Sequence, residues 1–134
     1  MNAQGGGSMG ILRRLFRQRR HKRYLVQSGT FVIVSPGTDR EQKVQLLDIS
    51  QGGTAFIYQG SPEELEESGI LKMLVERKYL ANVPYNTASD VPAPGCEGVQ
   101  SSVPYRRRGV KFNWMGVLQE VELRNYIKKV SINP

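Results

Sequence analysis

Ile11, Leu12, Leu15 and Phe16 recur at i, i+1, i+4 and i+5, which gathers them on one helical face beside Arg13, Arg14 and Arg17. A basic amphipathic stretch of about two turns is unstable alone, so it needs the domain's own core, a partner or a membrane to dock on. From Tyr24 the pattern changes to strands. Residues 24–34 are rich in β-branched and aromatic side chains and stop at Ser35-Pro36-Gly37, a turn signal. In 43–49, Val44 and Leu46 alternate with Lys43 and Gln45. That run breaks at Gly52-Gly53 and resumes over 53–58 as the second arm of a hairpin-like pair. Ser61-Pro62-Glu63-Glu64 predicts a helix of one or two turns, with Ser as cap, Pro first and acids against the dipole, ended by Gly69. Strands are predicted over 70–75 and 77–83, a proline-rich loop over 84–95, and strands again over 99–103 and 109–114. Val117, Leu118, Val121, Leu123, Tyr126, Ile127 and Val130 predict a closing amphipathic helix over 117–130. Six or seven short strands and one helix make a mainly β protein, a small antiparallel barrel or sandwich.

The chain has 134 residues, enough for one domain and too few for two of full size. With 39% hydrophobic and 23% charged residues it is expected to bury a core without disulfides or metal. Its longest aliphatic or aromatic run covers 31–34, far short of a membrane span, and no apolar stretch follows the start as a secretory signal requires. The single cysteine, Cys96, excludes an internal disulfide and fits a cytoplasmic location.

The formal net charge of +7 is concentrated in one place. Residues 10–30 hold Arg13, Arg14, Arg17, Arg19, Arg20, Lys22 and Arg23 with no acid, whereas residues 31–134 hold 12 bases and 12 acids. Such a block favours an anion: nucleic acid, a nucleotide or an acidic membrane surface. A solvated arm is the plain alternative. Three regions follow: a flexible tail or added remnant over 1–10, a basic segment over 11–23, and the barrel with its helix over 24–134.

Catalysis lacks parts. His21 is the only histidine and lies in a cationic run, so Ser50 and Cys96 have no base. No G-x-x-x-x-G-K-[ST] is present to cradle a triphosphate. Glu63, Glu64, Glu66 and Glu67 read as a capping, solvated face, and Asp48, Asp90 and Glu97 lack metal-ligand spacing. Neither enzyme activity nor a cofactor or metal is expected.

Two motifs remain. Arg19-Arg20-His21-Lys22-Arg23 contains R-x-x-x-R just before the first strand. Asp48-Ile49-Ser50-Gln51-Gly52-Gly53 is D-x-S-x-x-G at the turn between the next two strands. Each has an ordinary reading, a soluble arm and a turn clamp. Their order and placement resemble the PilZ domain, the bacterial receptor for cyclic di-GMP. Arg107-Arg108-Gly109-Val110-Lys111-Phe112 is similar to the strand that precedes that family's C-terminal helix.

The resemblance implies a six-stranded antiparallel barrel with a helix across one mouth, and a binding module that is not an enzyme. It maps the ligand arginines onto Arg19 and Arg23, with Arg20 a further contact. A guanidinium fork matches guanine O6/N7 or a phosphate and stacks on a base. Asp48 suits the paired donors of guanine, Ser50 offers a hydroxyl, and Gly53 leaves room for close approach. Arg108 is a possible additional contact from the neighbouring strand. Gln18 stands where an arginine accompanies binding of a stacked ligand pair in relatives, which leaves stoichiometry open. His21 is expected to be passive and Trp114 to pack in the core or on the helix.

The leading expectation is a cytoplasmic cyclic di-GMP effector, a monomer or weak dimer. It would couple the messenger to a bacterial effector protein by ordering its basic loop. Two alternatives stay open. One is a nucleic-acid or anionic-surface binder through 13–23, against which stands the lack of interleaved aromatics, so no DNA or RNA partner is expected. The other is a PilZ adaptor that binds only proteins.

Overall fold

The computed structural model describes residues 21–75, 78–93 and 103–132. Seven strands are seen among them: β1 (Tyr24–Leu25), β2 (Phe31–Val34), β3 (Gln42–Ile49), β4 (Gly53–Gln59), β5 (Ser68–Val75), β6 (Lys78–Pro92) and β7 (Tyr105–Phe112). One helix, α1 (Val117–Val130), follows them. Every pairing is antiparallel, and the order β3-β2-β5-β6-β7-β4 closes because β4 also pairs with β3. The result is a six-stranded barrel with β1 added along β3. Closure removes the exposed edges that an open sheet of this size presents.

The barrel is filled by the inward alternation of its strands, with Val32, Val34, Ile49, Phe56, Leu71, Met73, Val83 and Tyr85 withdrawn from solvent. α1 joins this core through Leu123, Tyr126, Ile127 and Val130. At the helix start the Gly116 N–H donates to the Gln119 side chain (3.0 Å), and Gln119 in turn donates to the Asn82 carbonyl. At the other end the Ile132 N–H donates to the Leu25 carbonyl and the Gln27 N–H to that of Val130. The helix C-terminus is therefore tied to the chain leaving β1. Among the described residues no helix is long and apolar enough to cross a membrane.

Several local expectations are corrected. The strand foreseen over 24–34 is two pieces on the same partner β3, separated by a turn in which Thr30 N–H donates to the Gln27 carbonyl and Gly29 has φ +83°. The short helix foreseen after Ser61 is a single 3-10 turn, Pro62–Glu64, because Leu65 drops into the core and the chain enters β5 at Ser68. The loop foreseen over 84–95 is mostly strand: β6 runs on to Pro92, and its ladder with β7 spans Tyr85 to Pro92. Proline is tolerated near the ends of such a ladder. The strand foreseen over 99–103 lies outside the described residues except for Val103. Trp114 is not core: it is 86% exposed.

Two β-bulges decide which way two aspartates face. In β3, Val44 and Leu46 point inward, and strict alternation would send Asp48 inward with them. The register shifts between Leu46 and Asp48, so Ile49 takes the inner position and Asp48 turns to the surface. In β6 the shift lies between Thr87 and Ser89 and has the opposite effect, setting Asp90 on the inner side opposite Arg108 of β7.

Arg108 is wholly buried, and each of its three guanidinium nitrogens donates a hydrogen bond. Nε donates to Asp90 Oδ2 (2.8 Å), Nη1 to Thr87 Oγ1 and the Glu66 carbonyl (3.0 Å each), and Nη2 to the Pro62 carbonyl (3.1 Å). Asp90 also accepts from Tyr58 Oη (2.5 Å) and from Arg106 Nε. Burial pushes the Tyr58 hydroxyl up to about 12, with the Asp90 hydrogen bond adding to it. For Asp90, burial pushes upward, but hydrogen bonds from Tyr58, Arg106 and Arg108 outweigh it and hold the carboxyl below its ordinary value.

Candidate ligand-binding site

β1 brings the two motifs together. Tyr24 pairs with Ile49 and Leu25 with Asp48, so the residue just before β1 lies beside the end of β3. Arg23 Nη1 stands 3.2 Å from Asp48 Oδ1 across 25 residues of sequence. The other carboxylate oxygen faces Arg107 Nη2 at 3.6 Å. Arg23 is 67% exposed, so this ion pair contributes about 1 kcal/mol or less to folding. Its interest is where it sits.

The turn that follows is clamped by its own residues. Ser50 Oγ accepts from the N–H groups of Gly52 (3.1 Å) and Gly53 (3.2 Å), while Ser50 N–H donates to the Gly53 carbonyl (2.8 Å). Thr54 Oγ1 donates to the Asp48 carbonyl at 2.5 Å. Ser50 is itself buried, so the turn-clamp role is the one its hydroxyl fills here. Gly53 carries no side chain because β4 meets β7 there: a Cβ would run into the Val110 carbonyl oxygen. Gly53→Ala is therefore expected to cost about 1–3 kcal/mol, as overpacking does, read as a lower urea midpoint with an unchanged m-value.

The basic segment meets the barrel at this turn. The His21 imidazole lies on Gly52, where a Cβ would come within 2.6 Å of it. A cleft of about 550 Å³ opens beside it, lined by His21, Lys22, Tyr24 and Gln51 and by Arg124 and Lys128 of α1. Lys22 Nζ sits 5.3 Å above the Tyr24 ring. A second cleft of about 520 Å³ lies on the other side of His21, toward Trp114 and Glu120. An anion entering the first cleft meets Lys22, Arg124 and Lys128 within one depression.

Of the residues singled out in the sequence, Arg23, Asp48, Ser50 and Gly53 are gathered around one turn. Arg19, Arg20 and Gln18 lie outside the described residues. Arg108 is not at this surface, because it is buried in the network with Asp90. Its neighbour Arg107 faces Asp48 instead. The signal for this was present: Val110 is an inward residue of β7, and counting back by two puts Arg108 inside and Arg107 outside.

No protein-family model matches the chain, and no curated protein matches it in sequence. Solved structures do match. The PilZ domain of YcgR from Escherichia coli, with c-di-GMP, superposes with a TM-score of 0.67 at 17% identity, covering 84% of this chain and 91% of that one. The K. pneumonia MrkH–c-di-GMP complex gives 0.59 at 16% identity, over 83% of this chain and 51% of that one. PlzA of Borreliella burgdorferi, in complex with c-di-GMP, gives 0.56 at 12% identity, over 88% and 54%. The chain thus spans about half the length of MrkH and PlzA. It has the PilZ-type fold, a closed six-stranded antiparallel barrel with one extra strand and a C-terminal helix.

Proposed function

We propose that this chain is a PilZ-family effector that binds cyclic di-GMP at the Arg23–Asp48 turn and passes the signal to a bacterial effector protein in the cytoplasm. The observation that carries the reading is the 3.2 Å meeting of Arg23 with Asp48 at the junction of the basic segment and the barrel. The three solved structures that share its fold, each with c-di-GMP, support it.

In the free protein both Asp48 oxygens face a guanidinium. Exchange on binding is inexpensive, since a pair whose arginine is largely exposed is worth about 0–1 kcal/mol. Asp48 then accepts the paired N–H donors of a guanine edge. Arg23, with Arg19 and Arg20, turns to phosphate or to guanine O6/N7, where charge-assisted forks are stronger. Ser50 and Gly53 act by holding the turn in shape. Two phosphates neutralise part of a segment that repels itself when free, which orders it over the barrel.

Calorimetric titration with cyclic di-GMP is expected to give a micromolar or tighter Kd, about −8 kcal/mol or better, with GTP and a single-stranded oligonucleotide binding far more weakly. Absence of heat and of any Tm shift at about 100 μM ligand overturns the reading. Arg23→Ala is expected to lose about 1.5–3 kcal/mol of binding while leaving the urea midpoint nearly unchanged.

A further inference from the structure

α1 is apolar on two opposite sides. Leu123, Tyr126, Ile127 and Val130, spaced i, i+3, i+4 and i+7, are buried against the barrel. Trp114, in the connection just before the helix, and Val117, Leu118 and Val121, on the side of α1 opposite Leu123, are apolar as well. They are 86%, 78%, 79% and 39% exposed. Four exposed apolar residues at the start of α1 form a stripe that marks a surface something covers. Glu120 and Glu122, both exposed, flank it on either side.

We propose that the stripe is covered by the chain's own residues 11–17, whose apolar face of Ile11, Leu12, Leu15 and Phe16 is bordered by Arg13, Arg14 and Arg17. Two observations select this occupant. The first is reach: His21 borders the same cleft as Trp114, Val117 and Glu120, and Phe16 stands five residues before it. Five extended residues span about 17 Å, more than the roughly 10–12 Å width of a helix with its side chains. The second is charge, because arginines beside the apolar face meet the two glutamates beside the stripe. The rival occupant is a second copy of the chain, which would pair this patch with itself. The basic segment thus has two jobs, a nucleotide-facing end near Arg23 and an apolar cover on α1. The cover is a property of the free protein and does not depend on the nucleotide reading.

Trp114 is the only tryptophan, so its fluorescence reports the stripe directly. In the full chain without nucleotide, its emission is expected to be blue-shifted and protected from acrylamide. Leu15→Glu with Phe16→Glu, both ahead of β1 in the sequence, should red-shift the emission and raise quenching to that of a solvent-exposed indole, with the far-UV spectrum of the barrel retained. Glu120→Lys with Glu122→Lys should release the cover in the same direction. The proposal is overturned if Trp114 is already fully quenchable in the unaltered chain, or if the Leu15/Phe16 variant changes nothing. It is equally overturned if protection falls on dilution together with a dimer in sedimentation velocity, which would make a second copy the cover.

Discussion

Asp90→Ala is expected to destabilise the domain by about 3–5 kcal/mol, the range for removing one partner of a buried ion pair and leaving the other charge behind. Arg108 is fully withdrawn from water, and once Asp90 is gone its guanidinium keeps only neutral acceptors: the Pro62 and Glu66 carbonyls and Thr87 Oγ1. Arg108→Leu should cost less, because Asp90 retains Arg106 and Tyr58 and the leucine fills apolar volume. The double variant should then be more stable than the sum of the two losses by 1 kcal/mol or more, the sign that the pair is coupled through contact. Urea unfolding of the four proteins at pH 7 measures all three quantities. Additive losses would show that Asp90 and Arg108 do not act on one another.

The same pair carries a pH dependence whose sign follows from the direction of the shift. Asp90 titrates below its ordinary 3.8 in the folded chain and near that value when unfolded. Its contribution is therefore complete above pH 3.8 and is lost as pH falls through the lower folded value. The stability gap between the unaltered chain and Asp90→Asn should be constant from neutral pH down to about 5, then close in more acidic solution. A gap that widens on acidification would contradict the assignment.

Much of this architecture was legible because hydrophobic alternation and turn residues report it directly. The helix over 117–130 and the strands flanking Gly52-Gly53 lie where the pattern put them. What the pattern could not give was the pair of bulges. A bulge adds one residue to one side of a ladder and reverses every inward and outward assignment beyond it, with no mark in composition. Strict alternation in β3 would bury Asp48, and strict alternation in β6 would expose Asp90; both are reversed. The proline content of 84–95 hid a strand for a related reason, since prolines near the ends of a ladder read as a loop when the ladder is not in view. Trp114 reads as the aromatic end of a strand over 109–114, but β7 stops at Phe112 and leaves it in the exposed connection to α1. At the candidate site, motif order singles out Arg23, Asp48, Ser50 and Gly53, which the fold brings around one turn. Motif order alone did not show that Ser50 and Gly53 are consumed by the turn, or that Arg107 rather than Arg108 faces Asp48.

Selectivity for the base is where nucleotide recognition and general anion binding part. Cyclic di-AMP has the same ring and the same two phosphates, but offers an N6 donor where guanine has the O6 acceptor. It also lacks the paired N1–H and N2–H donors. Against it Asp48 would face no donor pair, and an arginine fork would meet a donor. Groups left unpaired in a closed site each cost about 1–3 kcal/mol. A preference for cyclic di-GMP of at least about a hundredfold, about 2.7 kcal/mol, is therefore expected in parallel titrations. Salt gives the second axis. A basic arm on a polyanion releases counterions in proportion to the phosphates it neutralises, so its affinity falls steeply with ionic strength. A site reading two phosphates and two base edges should show a slope set by about two charges, and Asp48→Asn should erode the base preference while leaving that slope in place. Equal affinity for the two cyclic dinucleotides, with a steep salt dependence and oligonucleotide binding as tight, would assign the basic segment to nucleic acid and leave the Arg23–Asp48 contact as an ordinary surface ion pair.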